Sequence, residues 1–206
     1  IICLRGVMNK LVRGIGINEN KYLAEKDGIL VKEHILWTNM LHRCTEKCWV
    51  KYPTYIGTTC SENFKSYTFF YEWCQKQVGF GNRDEVGRGW QLDKDILIKG
   101  NKHYSEDTCV FVPSKINKLL TKRHNFRGEW PIGVSWHESS KKFHSCCSDG
   151  AGKNKRLGCF NTMQEAFLAY KVFKEALIKE VAEKYKLQLD PRAYQTLINY
   201  EVNIND

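Results

Sequence analysis

The stretch NTMQEAFLAYKVFKEALIKEVAEKY, residues 161 to 185, constrains the fold more than any other segment. Ala166, Phe167, Tyr170, Phe173, Leu177 and Val181 recur at three- and four-residue steps, the period of a helix with one buried stripe. Thr162 and Glu165 stand at its start with capping-box spacing, in which each side chain satisfies an open backbone N–H. A buried stripe needs a surface to lie on, and the preceding segment supplies one. Gly133 to Trp136, Lys142 to Cys146 and Lys155 to Phe160 read as three short strands, separated by polar turns at Ser139-Ser140 and Asp149-Gly150. The expected architecture is α+β, with a three-stranded antiparallel sheet packed on one long helix. The tail is expected to add a short helix after Pro191.

Upstream, residues 1 to 31 are broken by Gly14, Gly16, Asn18, Asn20, Asp27 and Gly28, which reads as turns with a small hairpin. Ile35, Leu36, Met40 and Leu41 predict a helix over about residues 33 to 45. A second helix is predicted from a Ser61 cap onward, with Phe64, Tyr67, Phe70, Tyr71 and Trp73 as a core stripe rather than a ligand box. From Lys115 to Arg127 there are five Lys or Arg residues and no acidic one. This basic seam divides the chain into an expected N-terminal domain, 1–126, and a C-terminal domain with its tail, 127–206.

Between the second helix and the seam lies WQLDKDILIKGNKHYSEDTCVFVP, residues 90 to 113. It reads as a strand, a turn at Gly100-Asn101, a return strand ending at Pro113, and a helix capped by Ser114. Phosphodiester hydrolysis needs a divalent cation, a base for the attacking water and stabilisation of the leaving oxygen. Hard cations prefer carboxylate and amide oxygens, so Asp93 on the strand and Asn117 on the helix are the candidate metal ligands. Asp95 shares the strand face of Asp93 by alternation, as a second carboxylate near the metal or as the partner of a basic neighbour. The plain reading of the cluster is a hairpin whose Asp and Asn side chains satisfy turn hydrogen bonds.

A formal charge of +9 and a sequence pI near 9.0 favour an anionic partner, because Lys and Arg at phosphates release condensed counterions. Charge alone does not separate nucleic acid from an anionic membrane or from simple solubility. The nine cysteines (residues 3, 44, 48, 60, 74, 109, 146, 147 and 159) show no paired CxxC framework and are expected as free thiols in a reducing cytoplasm. A four-thiolate zinc site from Cys44, Cys48, Cys60 and Cys74 is the alternative, but Cys44 and Cys48 equally suit one helix face, and structural zinc is not expected. There is no apolar run of membrane-spanning length and no signal-peptide pattern. The expectation is a cytoplasmic protein that makes no membrane contact, with Met8 as a possible internal start.

The run LDKDILIKGN…YSEDTCVFVP…IN resembles the phage-type variant of the HNH endonucleases, over roughly residues 33 to 120. That resemblance implies a ββα-metal fold and nicking or cleavage of double-stranded DNA with a divalent metal, Mg2+ or Mn2+, as in homing endonucleases. It implies location in a bacterial host cell for a phage-encoded chain. Residue by residue, it assigns Asp93 and Asn117 to the metal, Asn101 to ordering the loop, and Lys94 to the position of the general-base histidine. An ordinary lysine is protonated at neutral pH and cannot accept a proton from water. Lys94 is then left to stabilise phosphate charge, and His103 is the nearby imidazole for a relocated base. A degenerate, non-catalytic DNA-binding or host-interaction protein is the alternative.

The segment GVSWHESSKKFHSCCSDGAGKNKRLGCFNTMQEAFLAY resembles the DNA-binding domain of plant Apetala/ethylene-response factors, over about residues 128 to 184. Gly133-Val134, Phe143, Leu157-Gly158-x-Phe160 and Ala166…Ala169-Tyr170 carry the likeness. It implies that Ser135, His137, Lys142, His144, Lys155 and Arg156 meet DNA, with Trp136 as a sugar or base contact unless alternation turns it to the core. Lys142, Lys155 and Arg156 are the phosphate-positioning candidates.

Overall fold

The structure, a computed structural model, describes residues 11–121, 129–149 and 152–206. Cys3, Met8, Gly150, the seam from residue 122 onward and the expected boundary at 126 lie outside the described residues. The chain forms two compact units, residues 1–81 with 92–111, and residues 82–91 with 112–206. It therefore crosses between them three times, where the sequence suggested one division.

The first unit opens with the hairpin β1 (Glu25–Lys26) and β2 (Ile29–Leu30), closed by Asp27 and Gly28 at φ 54° and 77°. Positive φ at both turn residues is what a two-residue hairpin matched to strand twist requires. Next come α1 (Lys32–Arg43), α2 (Glu46–Lys51), β3 (Thr59–Cys60), α3 (Glu62–Lys65) and α4 (Tyr67–Lys76). The single helix predicted after Ser61 is two helices, because a second serine starts a new one. Ser61 Oγ accepts the Phe64 N–H at 3.3 Å, and Ser66 Oγ accepts the Phe69 N–H at 3.1 Å. The aromatic stripe forms the core: Phe64, Tyr67 and Phe70 are fully buried, and the Phe64 ring meets Phe70 and Trp73 edge-on at 5.2 and 4.9 Å. Trp37 Nε1 donates to the Phe64 carbonyl at 2.8 Å, so the largest ring of α1 is both packed and satisfied. Tyr71 meets Tyr67 edge-on at 6.2 Å and stacks on Tyr22 at 4.0 Å.

The ribbon follows as β4 (Gln91–Asp93), β5 (His103–Tyr104) and β6 (Val110–Val112). β4 pairs with β6, while β5 pairs in parallel with β3. The strand expected to run through Ile98 stops at Asp93, whose side chain takes the next backbone N–H groups into a turn.

The second unit contains α5 (Ser114–Leu120), β7 (Val134–His137), β8 (Lys142–Ser148), β9 (Asn154–Phe160), α6 (Met163–Lys184) and α7 (Pro191–Ile198). The sheet is antiparallel in the order β7-β8-β9, and α6 packs against all three strands. Thr162 and Glu165 form the capping box, with bonds of 3.2 and 3.1 Å. Cys147, Phe167, Tyr170 and Val202 are the buried core, flanked by Ile132, Val134, Leu157, Phe173 and Tyr200. Residues 82–91 join this unit through Trp90, edge-on to Tyr185 at 5.9 Å, and through the Glu85–Lys184 ion pair. Among the described residues no helix is long and apolar enough to cross a membrane.

Candidate nucleic-acid interface and ribbon site

In the ribbon, Asp93 is 8% exposed, and its Oδ1 accepts the Asp95 and Ile96 N–H groups, each at 2.9 Å. Burial, followed by the charge of Asp95, pushes the Asp93 carboxyl up to about 7. Because the strand ends at Asp93, Asp95 reaches it across a turn and not along a pleat. Lys94 Nζ donates to the Asn101 carbonyl at 2.9 Å and lies 3.5 Å from Asp95 Oδ2. The ammonium thus ties the two ends of the loop together and neutralises Asp95.

Asn101 is the clasp of this loop. Its Nδ2 donates to the carbonyls of Lys94 and His103 at 2.7 and 2.8 Å, and its Oδ1 accepts the His103 N–H at 3.0 Å. Preceded by Gly100 at φ 81°, it turns the chain and then fixes the turn through its side chain. His103 is exposed on β5, and its Nδ1 shares a hydrogen bond with Thr59 Oγ1 at 2.8 Å. Thr59, which no spacing rule selects, is therefore the residue that orients this imidazole. Asn117 belongs to the second unit, where its Nδ2 donates to Gln91 Oε1 at 2.9 Å.

Among the described residues no three His, Cys, Asp or Glu side chains gather as a metal-holding group. The eight described cysteines, Cys44, Cys48, Cys60 and Cys74 among them, are free. The adjacent carboxylates of Asp93 and Asp95 nonetheless fit a hard dication, since magnesium-type sites use one or two carboxylates and complete their shell with water and phosphate. Burial, the larger cause, and then the neighbouring Asp95 disfavour the ionised Asp93, the form in which it would hold a cation.

The second site is a sheet face. Directly opposed residues in an antiparallel pair point to the same side. Ser135 opposes His144, His137 opposes Lys142, His144 opposes Cys159, and Cys146 opposes Arg156. These residues make one outward face, while Val134, Phe143, Ser145 and Cys147 alternate toward α6. The register shifts between Ser145 and Cys146: Ser145 pairs with Gly158 and Cys146 with Arg156, leaving Leu157 as the extra residue. Leu157 turns into the core. This bulge reverses the alternation beyond it, so Arg156 faces out and Lys155 faces in.

Two sequence candidates thus leave the outward set. Lys155 Nζ rests 4.7 Å above the Phe173 ring of α6. Trp136 opposes Phe143 and packs edge-on against it at 4.8 Å, with its Nε1 on Glu138 Oε2 at 2.7 Å. Ser135, His137, Lys142, His144 and Arg156 remain together, and the register adds Cys146, Ser148, Asn154 and Cys159, which sequence reasoning missed. None of these nine side chains is a carboxylate. His137 and His144 stack at 4.4 Å with ring planes 15° apart, and Arg156 Nη2 lies 3.4 Å from His144 Nε2. Comparison with known proteins gives no matching family model, no matching curated protein and no matching solved structure.

Proposed function

We propose that this chain binds double-stranded DNA through the outward face of the β7-β8-β9 sheet and hydrolyses phosphodiester bonds at the Asp93 ribbon with a divalent metal. The chemistry is that of the phage HNH endonucleases and their ββα-metal fold. The observation that carries the binding reading is the shared face of Lys142, Arg156, His137 and His144, which is turned away from α6 and whose paired side chains include no carboxylate. Cations and neutral donors on a three-stranded sheet suit a groove and its bordering phosphates.

For hydrolysis, Asp93 and Asp95 are the residues to hold Mg2+ or Mn2+. When bound, the metal polarises the phosphate and lowers the pKa of water. Asp93 keeps its position through the two backbone N–H groups on Oδ1. Asn101 holds the loop, and Lys94 keeps a positive charge beside the carboxylates. His103, oriented by Thr59, is the imidazole available for proton transfer from solvent.

A second reading, DNA binding without cleavage, is favoured by the commitment of Lys94 Nζ to the Asn101 carbonyl and of the Asn117 amide to Gln91. Incubating supercoiled plasmid with Mg2+ or Mn2+ separates the two readings. Hydrolysis predicts nicked or linear product that Asp93→Ala abolishes, while duplex binding by that variant persists. Binding without metal-dependent product selects the non-catalytic reading, and absence of binding overturns both.

A further inference from the structure

We infer that His144, stacked on His137 and facing Arg156, is a proton-linked phosphate contact, so that the outward face takes up a proton as it engages DNA. The inference rests on the reading of that face as the duplex-binding surface. Its basis is the crowding of cationic and cation-forming groups around one imidazole. Arg156 Nη2 lies 3.4 Å from His144 Nε2 and also donates to Cys159 Sγ at 2.7 Å. Ser140 Oγ bridges the two rings, 3.1 Å from His137 Nδ1 and 3.4 Å from His144 Nε2.

Among the described residues, the strand neighbours facing His144 include no anionic group. From β7 come Ser135 and His137, from β9 Cys159 and Arg156, and along β8 itself Lys142 and Cys146. The turn between β7 and β8 adds Ser139 and Ser140. Glu138, the carboxylate of that turn, is taken by Trp136 Nε1 and Lys141. In this setting desolvation, followed by the charges of Arg156 and His137, holds the His144 imidazole below its ordinary range.

A phosphate oxygen beside Arg156 reverses the balance, because its negative charge offsets the cationic neighbours and favours the imidazolium. His144 then has a higher pKa in the complex than in the free protein. Binding takes up a proton between those two values, and affinity rises as pH falls through that window. Beyond either end of the window affinity is flat. Because each unit of difference is worth a factor of ten, a one-unit rise on binding gives about tenfold tighter binding in acid.

The test is the affinity of the full chain for a labelled DNA duplex at fixed salt, between about pH 5.5 and about pH 7.5, the range in which imidazoles titrate. Wild type is expected to tighten about tenfold toward the acid end. His144→Gln should lose that dependence and keep the weaker, neutral-pH affinity. His144→Lys should also lose it but keep the tighter, acid affinity, which a merely structural role for His144 does not predict. Wild-type binding that is independent of pH, or a dependence that survives in both variants, overturns the inference and leaves the DNA-binding reading standing. Absence of binding at every pH removes that reading as well.

Discussion

Replacing Asp93 with Asn makes the protein more stable at pH 8, by on the order of 2–4 kcal/mol, and flattens the pH dependence of unfolding. The Asp93 carboxyl titrates near 7 in the folded chain, whereas an unfolded aspartate titrates near ~3.9. The folded state therefore holds a proton that the unfolded state has already released. Between those values stability falls as pH rises, and above about pH 7 the full cost of the buried charge beside Asp95 is present. Asparagine keeps an oxygen for the Asp95 and Ile96 N–H groups and carries no charge. The advantage of the variant should be absent near pH 4, grow through neutrality and level off above it. Urea unfolding at several pH values measures this directly. A variant less stable than wild type at pH 8 would show that the carboxylate is needed for the turn itself.

The second large effect is expected at Gly133, at the entrance to β7. Its φ is 80°, and a Cβ there would run into the Tyr170 ring. Its carbonyl also accepts the Cys146 N–H at 2.9 Å, so the backbone cannot move away without breaking the β7–β8 pairing. Gly133→Ala combines left-handed strain with overpacking of the α6–sheet core and should cost about 3–4 kcal/mol. Tyr170→Ala is destabilising by itself, but in combination with Gly133→Ala it should recover part of the loss, because the ring is the obstacle. A double-mutant cycle on the urea midpoint reads that coupling. Strict additivity would place the damage in backbone strain alone.

Legibility in the sequence followed the length and regularity of each element. The long helix carried both its cap and its stripe in local spacing, so Thr162, Glu165, Ala166, Phe167 and Tyr170 took the roles that the period assigns them. The strands before it were also visible, but the face of β9 was not. One extra residue, Leu157, inverts the alternation, and whether Lys155 or Arg156 faces out depends on pairing with β8, a nonlocal fact. Ser66 hid in the same way. A serine between two aromatic runs reads as one more helical position until its side chain is seen to cap α4. The assignment of residues 82–91 to the second unit depends on Trp90 meeting Tyr185, a contact that no window of sequence contains. In the ribbon, residue types indicated Asp93, Lys94 and Asn101, but not that the Lys94 ammonium is held by the Asn101 carbonyl.

If the outward sheet face meets duplex DNA as proposed, its cations set the salt dependence of binding. Each phosphate neutralised contributes about −0.9 to the slope of log K against log salt. Lys142→Gln with Arg156→Gln is therefore expected to make the wild-type slope shallower by about 1.8. Lys155→Gln, whose ammonium rests over Phe173 on the opposite face, should leave the slope nearly unchanged. An unchanged slope in the Lys142/Arg156 double variant would remove this face from the interface.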